Sequence, residues 1–296
     1  MKAEGRIEFA ADYDPLESVR LQRLGPGDPT WAFEDGGFWR ASNTPTGPAC
    51  IRVRSNGARI VGEAWGKGST WALARIPSLC GAHDSPWNDR VQPAWLNALV
   101  QQQARVRLGM ALLPSDLLPT LILQQRVRFS EAAESWARLV RAVGTTAPGP
   151  AGLWVPPTGD ALRSLRVSEY ASMGVDAKRS RTLRECGLHT AKIDRLVDAA
   201  LEHTRTWLPK LPGIGPWTTG LFLALGFADA DAVPTGDYHL PNTVAYAFTR
   251  RRRGTDAEML KMLEPYRGHR FRVVRILMLA GPRRPRGGPR LVPTPM

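Results

Sequence analysis

The sequence is poor in cysteine, and its cysteines stand far apart. Cys50, Cys80 and Cys186 are the only ones among 296 residues. This separation excludes a zinc knuckle and a cluster-binding cysteine run, because both need closely spaced thiolates. We therefore expect reduced thiols in a cytoplasmic protein, with no metal and no iron–sulfur cofactor.

Long apolar segments are also missing. No stretch approaches the roughly 18 uninterrupted apolar residues of a membrane helix. The N-terminus, MKAEGRIEFAADYDP, has no apolar core behind its basic start, and a secretion signal needs such a core. The sequence therefore predicts neither export nor a membrane span.

Positive charge, in contrast, is abundant. The 40 Lys and Arg residues exceed the 27 Asp and Glu residues and leave a net charge of +13, so a polyanion is the expected partner. The alternative is an ordinary basic protein from a genome that favours Arg, Ala and Gly. With 43% apolar residues, the chain can build a substantial core in one large domain or two.

Two patterns divide the chain. Residues 1–88 alternate aromatic or β-branched residues with polar ones and break at DGG, NTPTGP and SNG, which is typical of antiparallel hairpins. The segment STWALARIPSLCG adds a helix on that sheet. Residues 89–282 follow helical periodicity, whereas residues 283–296 form a tail rich in Pro, Gly and Arg. The patterns predict an α+β protein with helices near 91–107, 115–143, 159–172, 176–186, 192–208, 216–226, 239–250, 255–264 and 268–280.

The segment LPGIGPWTTG, residues 211–220, stands between two helical stretches. Pro209 and Pro212 stop a helix, Gly213 and Gly215 allow backbone angles closed to other residues, and Pro216 suits a first helical turn. These features predict a helix-hairpin-helix. Main-chain N–H groups at such a helix start can bind a phosphate without reading a base. The alternative is a plain turn between packed helices. The predicted DNA contacts are Gly213, Ile214, Gly215, Pro216 and Thr218.

Asp237 ends the polar loop that follows the hairpin, in the segment VPTGDYHL. It lies directly before a predicted helix, and Asp is among the favoured N-cap residues. A cap and a catalytic carboxylate are compatible roles, so both interpretations stay open for this residue.

The hairpin, the Gly- and Pro-containing loop and the aspartate together resemble the helix-hairpin-helix DNA glycosylases. Within that superfamily the chain is most similar to the alkylation-repair branch, bacterial 3-methyladenine DNA glycosylase II. The resemblance implies a monomer on double-stranded DNA in the bacterial cytoplasm, with the DNA cleft between two helical clusters and an N-terminal sheet domain that packs mainly on the body. It also implies that Asp237 stabilises the cationic sugar formed when the base leaves, or orients the attacking water.

Trp217 distinguishes the two mechanisms found among these glycosylases, base removal with strand cleavage and base removal alone. Bifunctional members carry a lysine two residues after the second glycine of the hairpin, and an indole cannot replace it in an imine. The resemblance therefore implies a monofunctional glycosylase that leaves an abasic site. An aromatic face at this position suits an electron-poor base, although packing on the hairpin is an equal alternative. A monovalent cation at the hairpin is compatible with the family, and the iron–sulfur members are excluded by the missing cysteines.

Several further residues follow from the same resemblance. The segment 121–140, LILQQRVRFSEAAESWARLV, is similar to the glutamine-bearing helix that approaches the lesion, which implies a DNA wedge near Gln124 and Arg126. The matching place for the apolar wedge residue is occupied by Arg126, and the alternative for that residue is a solvated charge. A pocket tryptophan of the family corresponds to Arg275. The implied base-pocket residues are Trp217, Tyr238 and Gln125, and the implied additional DNA contacts are Gln124, Arg126 and His239.

The sequence thus predicts hydrolytic removal of damaged purines, with alkylated purines as the expected substrate. The enzymatic alternative keeps the chemistry but acts on deaminated or etheno-adduct purines. The non-enzymatic alternative is a protein that binds bent or damaged DNA through the hairpin alone. Such a binder would have no need of the Asp237 carboxylate, whose charge repels DNA phosphates.

Overall fold

A five-stranded antiparallel sheet occupies the N-terminal part of the computed structural model, which describes residues 3–85, 87 and 89–283. The strands β1 to β5 pair in the order β1-β5-β4-β3-β2. The predicted tail, apart from Arg283, lies outside the described residues. The strands are Gly5–Ala10, Trp31–Glu34, Gly37–Ser42, Ala49–Ser55 and Arg59–Trp65, and the accompanying helices are α1 (Pro15–Val19) and α2 (Ser69–Leu79).

One face of the sheet packs on α2. Phe38, Ile51, Val53 and Ile60 are completely buried in a cluster that also contains Ile76 of α2. The other face is covered by a short hairpin, β6 (Thr145–Thr146) and β7 (Trp154–Val155). Both faces of the sheet are therefore covered. The alternation of apolar and polar residues in the sequence accounts for the apolar face that packs on α2.

The rest of the chain is a helical body, which confirms the predicted α+β class. In chain order, its helices α3 to α14 are Ala94–Gln102, Pro114–Leu123, Phe129–Val143, Gly159–Ser164, Val167–Ser172, Ala177–Leu188, Thr190–Arg195, Leu201–Trp207, Pro216–Gly226, Leu240–Thr249, Asp256–Leu263 and Arg270–Ala280. The main core gathers side chains from α3 to α14, with Trp136, Tyr170, Phe222 and Phe271 among the fully buried ones.

Three predicted helices are each divided in two. The predicted helix 115–143 breaks at residues 124–128, where Arg126 takes a left-handed conformation with φ 57°. The segment 159–172 breaks where Leu165 and Arg166 turn extended. The segment 192–208 breaks after a 3-10 turn, where Ala199 and Ala200 are extended. None of the three breaks contains Gly or Pro, the residues that most often mark a break in a sequence.

Buried ion pairs join the N-terminal part to the body. The guanidinium of Arg272 donates to both carboxylate oxygens of Asp84. Arg40 of β3 faces the carboxylate of Asp116, which also accepts from Ser42. Because breaking one partner of a buried pair leaves an uncompensated charge, these contacts fix the two parts relative to each other. Within the described residues, no helix has the length and apolar character that crossing a membrane would require.

Asp194 connects α9 to the first turn of α4. One of its carboxylate oxygens accepts the N–H of Ser115 at 3.0 Å. Burial raises the pKa of this carboxyl from 3.8 to about 6, against a smaller opposing effect of the Ser115 hydrogen bonds. Since the pKa is higher in the folded state, the folded protein binds more protons between these values. Stability therefore falls as the pH rises through this window.

Replacing Asp194 with Asn removes this pH-dependent destabilisation. Asn keeps an oxygen that accepts from Ser115 but carries no charge. The gap between 3.8 and about 6 corresponds to about 3 kcal/mol as an upper limit. We expect Asp194→Asn to raise the free energy of unfolding at pH 8 by up to this amount and the gain to shrink toward pH 4, measured by urea denaturation. The exposed Asp160→Asn serves as control, and a gain that is independent of pH would contradict the explanation.

Candidate nucleic-acid interface and active site

The hairpin between α10 and α11 places its two glycines for different reasons. Gly213 has φ 86°, and a β-carbon added there would lie 1.9 Å from Oγ1 of Thr182. The fold itself thus requires this glycine. Gly215 has φ −105°, and an added β-carbon would meet nothing within 4 Å. Of the two glycines that the sequence marks as allowing unusual backbone angles, only Gly213 adopts one, and the space beside Gly215 is open.

The start of α11 presents free main-chain donors beside Gly215. Pro216 is the first helical residue and has no N–H. The N–H groups of Gly215, Trp217 and Thr218 reach no acceptor within the part of the chain that the structure describes. Ile214 is buried in the core, and its N–H donates to Leu211 at 3.1 Å. The hairpin is anchored by Ile214 and leaves the donors of a helix N-terminus available to an anion.

Gln125 ties the turn between α4 and α5 to the hairpin. Its side-chain amide donates to the carbonyl oxygen of Gly213 at 3.0 Å and to Oγ1 of Thr218 at 2.9 Å. Thr218 as a whole is 2% exposed, so little of this residue is open to a DNA contact. The predicted pocket residue Gln125 and the predicted DNA contact Thr218 thus hold each other.

The turn beside Gln125 presents one unpaired cation. Gln124 donates to the carbonyl oxygen of Thr120 in its own helix at 3.0 Å. Arg126 is exposed, and its side chain forms no hydrogen bond or ion pair with any described residue. The left-handed backbone of Arg126 is uncommon outside glycine and accompanies the sharp end of α4. Arg126 is therefore free to meet a ligand at the surface next to the hairpin.

Asp237 binds both the entrance of α12 and the hairpin. Its Oδ1 accepts the N–H groups of His239, the N-cap residue of α12, and of Leu240, the first residue of the helix, each at 2.7 Å. Its Oδ2 accepts the indole N–H of Trp217 at 2.8 Å. The structure therefore brings Asp237 and Trp217 together, 20 residues apart in the chain. A place at this helix entrance was predicted, but the hydrogen bond to the indole was not, because spacing alone does not orient a side chain.

Three aromatic residues neighbour Asp237, one by a hydrogen bond and two along the chain. Tyr238 is 84% exposed, and its ring lies edge to face on the imidazole of His239, with centroids 4.9 Å apart. Trp217 is half-buried, with its N–H directed to Asp237. An exposed tyrosine is unusual in a packed protein and makes a ready contact for a ligand. Trp217, Tyr238 and His239, all predicted site residues, are thus neighbours of Asp237.

Arg275 forms its hydrogen bonds with Glu17 of α1 and not with the residues around Asp237. It is 4% exposed, and its guanidinium donates to the carbonyl oxygen of Glu17 at 2.9 Å and to the carboxylate of the same residue at 3.0 Å. The arginine that corresponds to the family's pocket tryptophan therefore joins α14 to the N-terminal part. No group of three or more His, Cys, Asp or Glu side chains within the described residues could hold a metal ion.

Three residues that sequence reasoning missed hold the chain on either side of Asp237. A β-carbon on Gly220 would lie 2.7 Å from Cα of Pro234, so this glycine lets the loop lie against α11. The N–H of Gly236 donates to Asp256 at 2.8 Å, and Asn242 donates to the carbonyl oxygen of Tyr238 at 2.9 Å. Gly220 could have been noticed as a glycine inside an apolar helix, a known sign of close backbone approach. Asp256 and Asn242 gave no comparable signal.

Known proteins resemble this chain in sequence over about half of it and in fold over most of it. No family model matches the chain. It is 26% identical over 147 residues, 49% of its length, to the "Probable bifunctional transcriptional activator/DNA repair enzyme AlkA" of Mycobacterium tuberculosis, of which it spans only 29%. The 3-methyladenine DNA glycosylase from Archaeoglobus fulgidus superposes with a TM-score of 0.77 at 18% identity, covering 93% of this chain and 97% of that one.

A second solved structure has a similar fold over nearly the whole chain. The 8-oxoguanine glycosylase/lyase of Clostridium acetobutylicum, in complex with double-stranded DNA containing cytosine opposite 8-oxoguanine, has a TM-score of 0.65 at 13% identity, covering 94% of this chain and 97% of that one. Both solved structures match the N-terminal sheet as well as the helical body, since nearly the whole chain is covered. The chain therefore has the fold of the helix-hairpin-helix DNA glycosylases.

Proposed function

We propose that the protein is a monofunctional DNA glycosylase that hydrolytically excises alkylated purines and leaves an abasic site. The observation that carries the proposal is the hydrogen bond from Trp217 to Asp237. It joins a carboxylate to the first turn of the helix whose N-terminus is free to bind a phosphate. A protein that only binds DNA has no use for a negative charge fixed at this place.

DNA binding is supported by cations near the hairpin as well as by the amide donors. Lys178 and Arg181 are exposed on α8, the helix whose Thr182 contacts Gly213. Lys210 is exposed directly before the hairpin. The side chains of these three residues form no ion pair within the described residues. Free cations around a phosphate-binding turn supply affinity that does not depend on base sequence.

The proposed reaction begins with base flipping, because the C1′–N bond is not accessible inside a duplex. The enzyme must rotate the damaged nucleotide out of the stack, which costs a few kcal/mol and costs less for damaged bases. The C1′–N bond then breaks, and the base leaves with the electron pair while cationic character develops on the sugar. The Asp237 carboxylate stabilises this charge, and water adds to C1′ and releases a proton. An alkylated purine is already cationic, so the reaction needs neither a strong general acid nor a cofactor.

Trp217 supports hydrolysis without strand cleavage. A lyase forms an imine between a lysine amine and C1′, and the residue at the corresponding place is a tryptophan whose N–H is bound to Asp237. We infer that the protein acts as a monomer on double-stranded DNA and does not cut the backbone.

Release of free bases from methylated duplex DNA tests the proposal. We expect methylated purines in the supernatant by mass spectrometry and intact strands until hot alkali is added. Strand scission without alkali would reject the monofunctional part. If only deaminated or etheno-adduct purines were released, the chemistry would stand with another substrate. If the protein bound these duplexes and released no base from any of them, we would conclude that it binds DNA without acting as a glycosylase.

A further inference from the structure

The loop that carries Asp237 is bound by a second carboxylate, that of Asp256 on α13. Gly236, the residue before Asp237, donates its N–H to Oδ2 of Asp256 at 2.8 Å. Gly236 has φ 86°, a conformation that favours glycine. Asp256 is the first residue of α13 and lies 20 positions further along the chain. The main-chain direction at Asp237 thus depends on an acceptor supplied by another helix.

A second contact holds the other side of Asp237. Asn242 of α12 donates to the carbonyl oxygen of Tyr238 at 2.9 Å, and its side-chain oxygen accepts the N–H of Gly254 at 3.1 Å. Gly254 lies two residues before Asp256. The residues before and after Asp237 are therefore both bound by the same unit, made of α12, α13 and the turn between them.

Asp256 is not needed to cap its own helix. Thr255 and Glu258 already form a capping box, in which Thr255 accepts the N–H of Glu258 and Glu258 accepts the N–H of Thr255. The second oxygen of Asp256, Oδ1, is buried and meets no donor within the described residues. A buried oxygen without a donor is unfavourable for folding. Within the described residues, the bond from Gly236 to Oδ2 is the one hydrogen bond that the Asp256 side chain forms.

We propose that Asp256 is a positioning residue that sets the backbone of residues 236–238 and thereby aims the Asp237 carboxylate. The proposal rests on the proposed function, because it concerns the same site. Asp256 acts through the main chain and touches neither DNA nor the reacting atoms. Its loss should therefore change the rate of the chemical step and leave the affinity for DNA unchanged, since displacement of a catalytic group lowers rate steeply with distance.

The experiment compares Asp256→Ala with Asp256→Asn. We expect Asp256→Ala to lower the single-turnover rate of base release about tenfold to a hundredfold at saturating protein, with a Kd for duplex DNA within about twofold of the native value. Asp256→Asn keeps an oxygen that accepts from Gly236 and should restore most of the rate. The control is Thr158→Ala, which removes an N-cap from α6, outside the site, and should leave the rate unchanged.

Hydrogen exchange separates this proposal from the proposed function. Asp256→Ala should speed exchange of the amides of residues 236–240, and Asp256→Asn should not, whether or not any base is released. If the native protein releases no base, the proposed function fails, and exchange still decides whether Asp256 holds the loop. Unchanged exchange in Asp256→Ala, or an Asn variant as slow as the Ala variant, would overturn the positioning role.

Discussion

Asp237→Asn is expected to lower the rate of base release from methylated duplex DNA about a hundredfold or more. Asn is nearly isosteric, and its side-chain oxygen can still accept the two N–H groups that start α12. What disappears is the negative charge that faces the developing cation on the sugar. DNA binding should persist or become tighter, because one repulsive charge near the phosphates is gone. Release is followed in single-turnover reactions, and affinity by fluorescence anisotropy.

Asp14→Asn is the control. Asp14 caps α1, outside the site, and its Oδ1 accepts the N–H of Leu16 at 2.9 Å. Asp14→Asn should leave the rate of base release unchanged, and only Asp237→Asn should lower it. An Asp237→Asn protein that folds, binds DNA and releases bases at the native rate would remove Asp237 from the mechanism.

Trp217→Phe offers an intermediate case. It keeps the Asp237 charge and an aromatic ring but removes the indole N–H that donates to Oδ2. We expect a smaller loss, about tenfold, because the hydrogen bond that orients the carboxylate is lost while the negative charge remains. The comparison is made under the same single-turnover conditions. A loss as large as that of Asp237→Asn would show that the indole does more than orient the carboxylate.

Much of the fold could be predicted from local signals. Helix α11 begins and ends where Pro216 and the apolar run predict, at Pro216 and Gly226. The hairpins of the sheet follow from alternation of apolar and polar residues, and from turns such as that at Gly57, where φ is 86°. These features depend on neighbours in sequence, so the chain reports them directly.

The features that were not predicted depend on contacts between distant residues. The break at Ala199 and Ala200 lies in a stretch with good helical periodicity, and the turn at Arg126 lies in a segment without Gly or Pro. Within the site, the hydrogen bonds of Gln125 to the hairpin were not predicted. Asp256 carries only the signal of an acidic first turn. The sequence thus named several neighbours of Asp237 but not the contacts that they make.

The two glycines of the hairpin allow fold and function to be separated experimentally. Gly213→Ala should lower the free energy of unfolding by about 3 kcal/mol or more, because it forces a side chain into positive φ and overpacks the interior. The added β-carbon would lie 1.9 Å from Oγ1 and 3.1 Å from Cβ of the stiff, β-branched Thr182. Adding Thr182→Ala should recover the part of the loss due to overpacking and leave the part due to φ. Urea denaturation measures both variants.

Gly215→Ala should affect DNA affinity and leave stability intact. Its φ of −105° suits any residue, and its β-carbon meets nothing within 4 Å, so stability should be unchanged or raised by about 0.5 kcal/mol. The new methyl group would stand in front of the free N–H groups of α11, where we propose that a phosphate lies. Affinity for duplex DNA should fall about tenfold, and the slope of log K against log salt should decrease by about one phosphate contact. Native affinity in a stable Gly215→Ala protein would mean that DNA does not approach this helix start. Reduced affinity with full stability would place the phosphate at the hairpin by an observation independent of catalysis.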